Sequence, residues 1–398
     1  MEAKTAKELF GFLAKQIELF LKAHHSDKFE AHVRNESKVP YFDLGFTFSF
    51  PVDQLGINKG NLIRWTKGFD IDEALGKDVC ALLQQEINDL NLPVTVAALV
   101  NDTVGTLMAR SYTSPGKEGT LMGAIFGTGT NGAYVERLDR VKKMAKIDAK
   151  SGSAAYDKST GLMIVNTEWG SFDNNLQVMP DTSYDRDLDA ESVNPGIQMF
   201  EKRVSGMFLG EILRRALLAL YQHKDPNVAL FRDASSADND TFSTTTVADD
   251  SPLFKQWGID TSFLSIVEAD ISDHLRITKQ TLERELGVNA PSTEDCTAVK
   301  SLVHAVGKRA ARLAAVALGA VVISSDKLSG DGTVDIGVDG SLVEYYPGFE
   351  DYIREAFREI PEIGTEGEKR ISIGLAKDGS GLGAALIALV ASRTATTE

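Results

Sequence analysis

Residues 94–103 read Val-Thr-Val-Ala-Ala-Leu-Val-Asn-Asp-Thr, and residues 121–132 read Leu-Met-Gly-Ala-Ile-Phe-Gly-Thr-Gly-Thr-Asn-Gly. In each, an apolar run of strand length stops at a polar or glycine-rich turn. The carboxyl end of a buried strand is where α/β proteins place ligands. A carboxylate such as Asp102 can accept a hydroxyl proton there, and a glycine turn lets backbone N–H groups come close to a phosphate. Gly132 to Glu136 resumes a strand, so the spacing predicts a hairpin whose tip faces a phosphate. Each motif alone has a plainer explanation, because Asn and Asp commonly cap helices and Gly, Thr and Asn are ordinary turn formers. The order of the other motifs decides. Ser49-Phe50-Pro51 and Arg64-Trp65-Thr66-Lys67-Gly68 come before; Glu168-Trp169-Gly170-Ser171, Phe200 to Glu211, Asp339-Gly340-Ser341 and Asp378-Gly379-Ser380-Gly381 come after.

In that order these residues resemble the hexokinase family over nearly the whole chain. Phe200 to Glu211 and Val343 to Phe349 look most like its fungal glucokinase branch. The resemblance implies an α/β, actin-like (ribonuclease-H-like) ATPase fold with two lobes around a cleft. Residues 1–102 would form the small lobe and 103–398 the large lobe, with the last helix a candidate to return to the small lobe. It also implies transfer of the γ-phosphoryl group of ATP to the 6-hydroxyl of a hexose, glucose foremost, as the first step of glycolysis.

Residue by residue, the resemblance makes Asp102 the base. Ser49, Thr66 and Lys67 become small-lobe sugar contacts, and Asn101, Asp102, Asn131, Glu168 and Glu201 hold the sugar hydroxyls. Gly127, Thr128, Gly129, Gly340, Ser341, Gly379, Ser380 and Gly381 face the nucleotide and its phosphates. Mg2+ would be held through the ATP phosphates and water, with no metal ligand from the protein.

The chemistry of the residue types agrees. Phosphoryl transfer to an alcohol has a loose transition state, so a carboxylate of ordinary acidity need only orient the hydroxyl and accept its proton late. Sugar hydroxyls both donate and accept, and Asp, Glu, Asn and Lys complement them. Lys67 can offset phosphoryl charge, although a single Lys is most often an exposed loop residue. Glu201 by itself reads as a solvated helix residue, whereas Glu168 stands just after the apolar run Leu162 to Val165.

The family's opening Asp-x-Gly-Gly-Thr phosphate turn has no counterpart here, so the resemblance implies that N-terminal strands of the small lobe are missing. That leaves two further readings: a non-catalytic sugar-binding regulator, or a fragment of a glucokinase. It also leads to the expectation of weakly persisting glucose binding with turnover near background.

A chain of 398 residues exceeds the size at which single cores usually stop growing, so two domains or lobes are expected. The net charge of −15 argues against nucleic-acid and anionic-membrane partners. ATP is itself a polyanion and would need local donors: backbone N–H groups, Lys67 or Lys377, and Mg2+. Two cysteines far apart, Cys80 and Cys296, fit a reducing compartment, and the chain is read as cytoplasmic. No signal peptide is expected, and the longest apolar stretch, Leu313 to Ile323, falls short of the ~20 residues that cross a bilayer.

Along the chain, Thr5 and Glu8 predict a capping box before an amphipathic helix. Strands are expected at Leu44 to Phe50, Val94 to Val100, Leu121 to Phe126, Val334 to Val338 and Ile371 to Leu375. Helices are expected at Phe208 to Tyr221, Thr293 to Ile323 and Gly348 to Glu359, with a solvated Asp-, Ser- and Thr-rich loop from Asp233 to Pro252.

Overall fold

The structure, a computed structural model, describes residues 3–35, 42–65, 69–114, 119–144, 158–225, 227–231 and 245–395. The chain forms two compact units, Met1–Gly123 with Ala376–Glu398, and Ala124–Leu375.

The first unit opens with the helix Ala6–His24, whose Thr5 hydroxyl accepts the Glu8 N–H. Only half of the expected capping box forms, because the Glu8 carboxylate takes the N–H of Lys4 at 2.7 Å. Phe10, Ala14 and Leu21 lie on its buried face, against the helix Val79–Asp89. Strand β1 (Phe42–Thr47) pairs parallel with β4 (Val94–Val100), so that Thr47 lies opposite Val100. The expected first strand was longer, and after Thr47 one further bond, Phe48 N–H to the Val100 carbonyl, continues the pairing. Ser49 and Asn101 thus follow directly from the carboxyl ends of neighbouring parallel strands. A hairpin of β2 (Val52–Gly56) and β3 (Lys59–Leu62) lies between β1 and β4 in sequence.

The helix Asp102–Thr113 packs against the last helix, Gly379–Ala395, which also lies on β1 and β4. This first unit therefore extends past the expected border at residue 102, through Gly123, and includes the C-terminal helix. Backbone contact makes the packing possible. A Cβ on Gly383 would stand 2.0 Å from the Gly105 carbonyl oxygen, and one on Gly105 would meet the Ser380 carbonyl at 2.8 Å.

The second unit is built on a five-stranded sheet in the order β11 (Ile371–Leu375), β10 (Val334–Asp339), β5 (Thr120–Phe126), β6 (Thr130–Arg137) and β7 (Leu162–Asn166). β10 and β11 are parallel and β6 and β7 antiparallel. The helix Gly206–Tyr221 and the 32-residue helix Thr293–Ser324 supply much of the remaining core. The latter starts at a full capping box, Ser292 with Asp295, and its buried Ala310, Ala311, Ala314 and Ala315 allow close packing.

The expected solvated loop is corrected in its described part. Thr246–Val247 forms β8 and pairs with β9 (Val288–Asn289), while Thr245 and Ser251 are buried. The Ser251 hydroxyl donates to the Leu286 carbonyl, which removes a polar side chain from solvent at no loss of hydrogen bonding. Residues 233–244 of that expectation lie outside the described residues.

The glycine contact gives a test of the first unit. Gly383→Val should lower stability by roughly 1–3 kcal/mol through overpacking against the Gly105 carbonyl. A denaturation midpoint equal to that of the parent chain would contradict the contact.

Candidate functional site

In the first unit, Asn101 and Asp102 stand where β4 turns into the helix Asp102–Thr113. Asn101 is the cap: its Oδ1 accepts the Thr103 N–H at 3.0 Å. Asp102, half-buried, accepts the same N–H through Oδ1 at 2.8 Å, and its other oxygen has no hydrogen bond among the described residues. The two residues thus divide the work. Asn101 satisfies the helix end, while Asp102 keeps an acceptor oxygen at a helix N-terminus, where the dipole favours negative charge.

Ser49 lies beside them at the same end of the strand pair. Thr66 and Lys67 lie outside the described residues. Trp65 donates from Nε1 to the Ile71 carbonyl at 2.8 Å and packs against Phe48, Phe50 and Phe69.

The turn Asp378-Gly379-Ser380-Gly381 also belongs to this unit. Asp378 adopts a left-handed backbone (φ 57°), its carbonyl accepts the Leu382 N–H, and the Ser380 carbonyl accepts the Thr47 hydroxyl at 3.3 Å.

In the second unit, Asn131 and Glu168 meet. Glu168 Oε1 accepts from Asn131 Nδ2 at 3.1 Å and from Asn166 Nδ2 at 2.8 Å. Asn131 Oδ1 accepts the Gly132 N–H at 2.8 Å, which orients the amide. Glu168 is left-handed (φ 51°, ψ 41°). For a residue other than glycine this conformation costs on the order of 1–3 kcal/mol, and such strain collects at functional sites.

Glu201 is 8% exposed, and its Oε2 accepts the Thr130 N–H at 2.9 Å. The expectation of a solvated Glu201 is therefore corrected: the carboxylate is drawn in by a buried backbone donor. Thr130 is bound a second time, its hydroxyl accepting from Trp169 Nε1 at 3.1 Å. Consecutive residues of β6 thus address both glutamates.

The Gly127-Thr128-Gly129 turn is closed by the Gly127 N–H to the Gly129 carbonyl. Its outer carbonyls are taken by the start of the helix Gly206–Tyr221: Gly206 N–H to Gly127 at 2.7 Å, and Met207 N–H to Thr128 at 3.3 Å. The Thr128 side chain stays exposed. Gly340 (φ 110°) lies on this turn, since a Cβ there would stand 2.5 Å from the Phe126 carbonyl. Two of the three glycine turns therefore adjoin in the second unit; the third, at Gly379, is in the first. Among the described residues no group of three His, Cys, Asp or Glu side chains could hold a metal ion.

Sequence reading did not find Asn166, Thr130 or Gln198. Asn166 is signalled only by its place two residues before Glu168. Gln198 stands three residues before Glu201, its Nε2 donating to Glu201 Oε1 at 3.5 Å and its Oε1 accepting from Ser171 Oγ.

Two family models described as hexokinase match the chain, at residues 1–112 and 121–390. The chain is 61% identical to a glucokinase of Aspergillus niger, covering 100% of this chain and 79% of that protein. It is 41% identical to Glucokinase-1 of Saccharomyces cerevisiae, covering 98% and 76%. Among solved structures it resembles a Schistosoma mansoni hexokinase complexed with glucose, with a TM-score of 0.76 and 33% identity, covering 98% of this chain and 76% of that one.

Glu201→Ala should strand the buried Thr130 N–H and cost about 1–3 kcal/mol. Glu201→Gln keeps an acceptor oxygen and should cost less. Equal melting temperatures for the two variants would contradict this account of Glu201.

Proposed function

The chain belongs to the hexokinase family, and we propose that it transfers the γ-phosphoryl group of ATP to the 6-hydroxyl of glucose. A hexose kinase of the actin-like, ribonuclease-H-like α/β class is what its kinship and mixed sheet establish. The choice of sugar, the nucleotide and the residue roles are our reading. One observation carries it: Glu168 and Glu201 are fixed acceptors, held by Asn131, Asn166 and Thr130. Acceptors already oriented by the fold spend no further ordering on a polyol.

In this reading Asn131, Glu168 and Glu201 bind the ring hydroxyls, each carboxylate accepting and the Asn131 amide donating. Asn101 and Asp102, with Ser49, Thr66 and Lys67, address the hydroxyls nearer the reacting end. Asp102 orients the 6-hydroxyl with its open oxygen and takes its proton as the phosphoryl group arrives. Lys67 offsets charge on the group in flight.

Gly127, Thr128, Gly129, Gly340, Ser341, Gly379, Ser380 and Gly381 are assigned to the nucleotide by their match to the family. ATP enters as its Mg2+ complex, the ion lowering phosphate charge while held by phosphate oxygens and water. The relatives, named as kinases, do not favour the reading of a non-catalytic sugar-binding regulator. No helix among the described residues is long and apolar enough to cross a membrane; we assign the protein to the cytosol on its two widely separated cysteines.

Asp102→Asn keeps the shape and the bond to Thr103, so the fold should stand while turnover falls about 10²-fold or more relative to the parent chain. Glucose affinity should change far less. A coupled assay beside a thermal melt decides, and parental turnover in a folded Asp102→Asn chain would remove Asp102 from the role of base.

A further inference from the structure

The long helix Thr293–Ser324 holds a contact that the proposed chemistry does not use. Gly307 is a poor helix former set among alanines. A Cβ at this position would stand 1.9 Å from the Tyr346 hydroxyl oxygen and 2.1 Å from the ring carbon that bears it. The Tyr346 ring therefore rests directly on the helix backbone. Its hydroxyl donates to the Val303 carbonyl at 3.2 Å, using the second lone pair of an oxygen one helical turn before Gly307. Tyr346 is 3% exposed, and burial pushes its phenol up, so it remains a donor at any working pH.

Tyr346 ends the short helix Ser341–Tyr345, which begins at the Asp339-Gly340-Ser341 turn. Its N–H closes that helix on the Leu342 carbonyl at 3.1 Å. Its ring meets Phe349 edge-on, with centroids 6.2 Å apart, and Phe349 leans on Phe126 at 6.1 Å. Phe126 is also the residue whose carbonyl Gly340 lies against. The turn is thus bracketed, by Phe126 on one side and by the anchored Tyr346 on the other.

We infer that Tyr346, seated on Gly307, is a positioning residue that fixes where Gly340 and Ser341 stand toward the nucleotide. This rests on the reading of that turn as nucleotide-facing. The same long helix packs on the short helix Glu201–Val204, so general loosening would disturb sugar and nucleotide together. A positioning role at Tyr346 acts on the nucleotide alone.

The test is calorimetric binding of glucose, and of a non-hydrolysable ATP analogue with Mg2+, to the parent chain, Gly307→Ala, Tyr346→Ala and Tyr346→Phe. Gly307→Ala and Tyr346→Ala should weaken analogue binding roughly tenfold, Tyr346→Phe only about two- to threefold, and glucose affinity should stay within about twofold throughout. Unchanged analogue affinity in a folded Gly307→Ala or Tyr346→Ala chain overturns the inference, as does parallel loss of both ligands. Should those two variants fail to fold, Tyr346→Phe decides: weaker analogue binding at constant glucose affinity supports the inference, and parental affinity for both overturns it. A parent chain that binds glucose but no analogue would instead refute the nucleotide-facing reading of the turn, and the inference with it.

Discussion

The loop between β5 and β6 is held by one segment of chain, residues 201–207. Glu201 takes the N–H of Thr130, and the N–H groups of Gly206 and Met207 take the carbonyls of Gly127 and Thr128. The proposed phosphate turn and the proposed sugar acids therefore belong to one frame. Moving Glu201 would move Thr130, and with it Asn131 and the amide that grips Glu168. Catalysis by positioning is sensitive to shifts of an ångström, and this frame is where the second unit resists them. Its Glu201 and Thr130 are buried yet bonded, which is the condition under which such contacts rigidify a site.

The first unit solves a different problem. Its carboxylate must stand at a strand end without being used up by the helix that follows. Asn101 resolves this by taking over the cap, so that one Asp102 oxygen stays open among the described residues. The helix that presents Asp102 is itself pinned by backbone contact with the last helix through Gly105 and Gly383. A C-terminal segment more than 250 residues away in sequence thus sets the seat of the proposed base. Whether glycines occur at such places is decided by the approach of the neighbouring backbone, not by any local turn.

How much of this is legible in the sequence depends on how local the cause is. Val94–Val100 and Ile371–Leu375 can be read to the residue, because an apolar run in the first and an apolar alternation in the second stop just before polar or glycine-rich residues. The long helix can be read because its cap, Ser292 with Asp295, and its alanines are local signals. Glu201 cannot: its partner Thr130 lies 71 residues away, and a charged residue in a short helical segment looks solvated until the fold buries it. The same holds for Thr245 and Ser251, polar residues in a polar stretch that strand pairing draws inward. The likeness to a family proposes Asn131, Glu168 and Glu201 as site residues. It does not say that Asn166 and Thr130 hold them in place.

The central claim is phosphoryl transfer to one hydroxyl of one sugar, and product identity tests it more directly than rate. The purified chain would be incubated at length with glucose, ATP and Mg2+, and the products separated and identified by mass and by phosphorus NMR. The account predicts glucose 6-phosphate formed mole for mole with ADP, and none without glucose. ADP accumulating without a sugar phosphate, or phosphate on another hydroxyl, would contradict it.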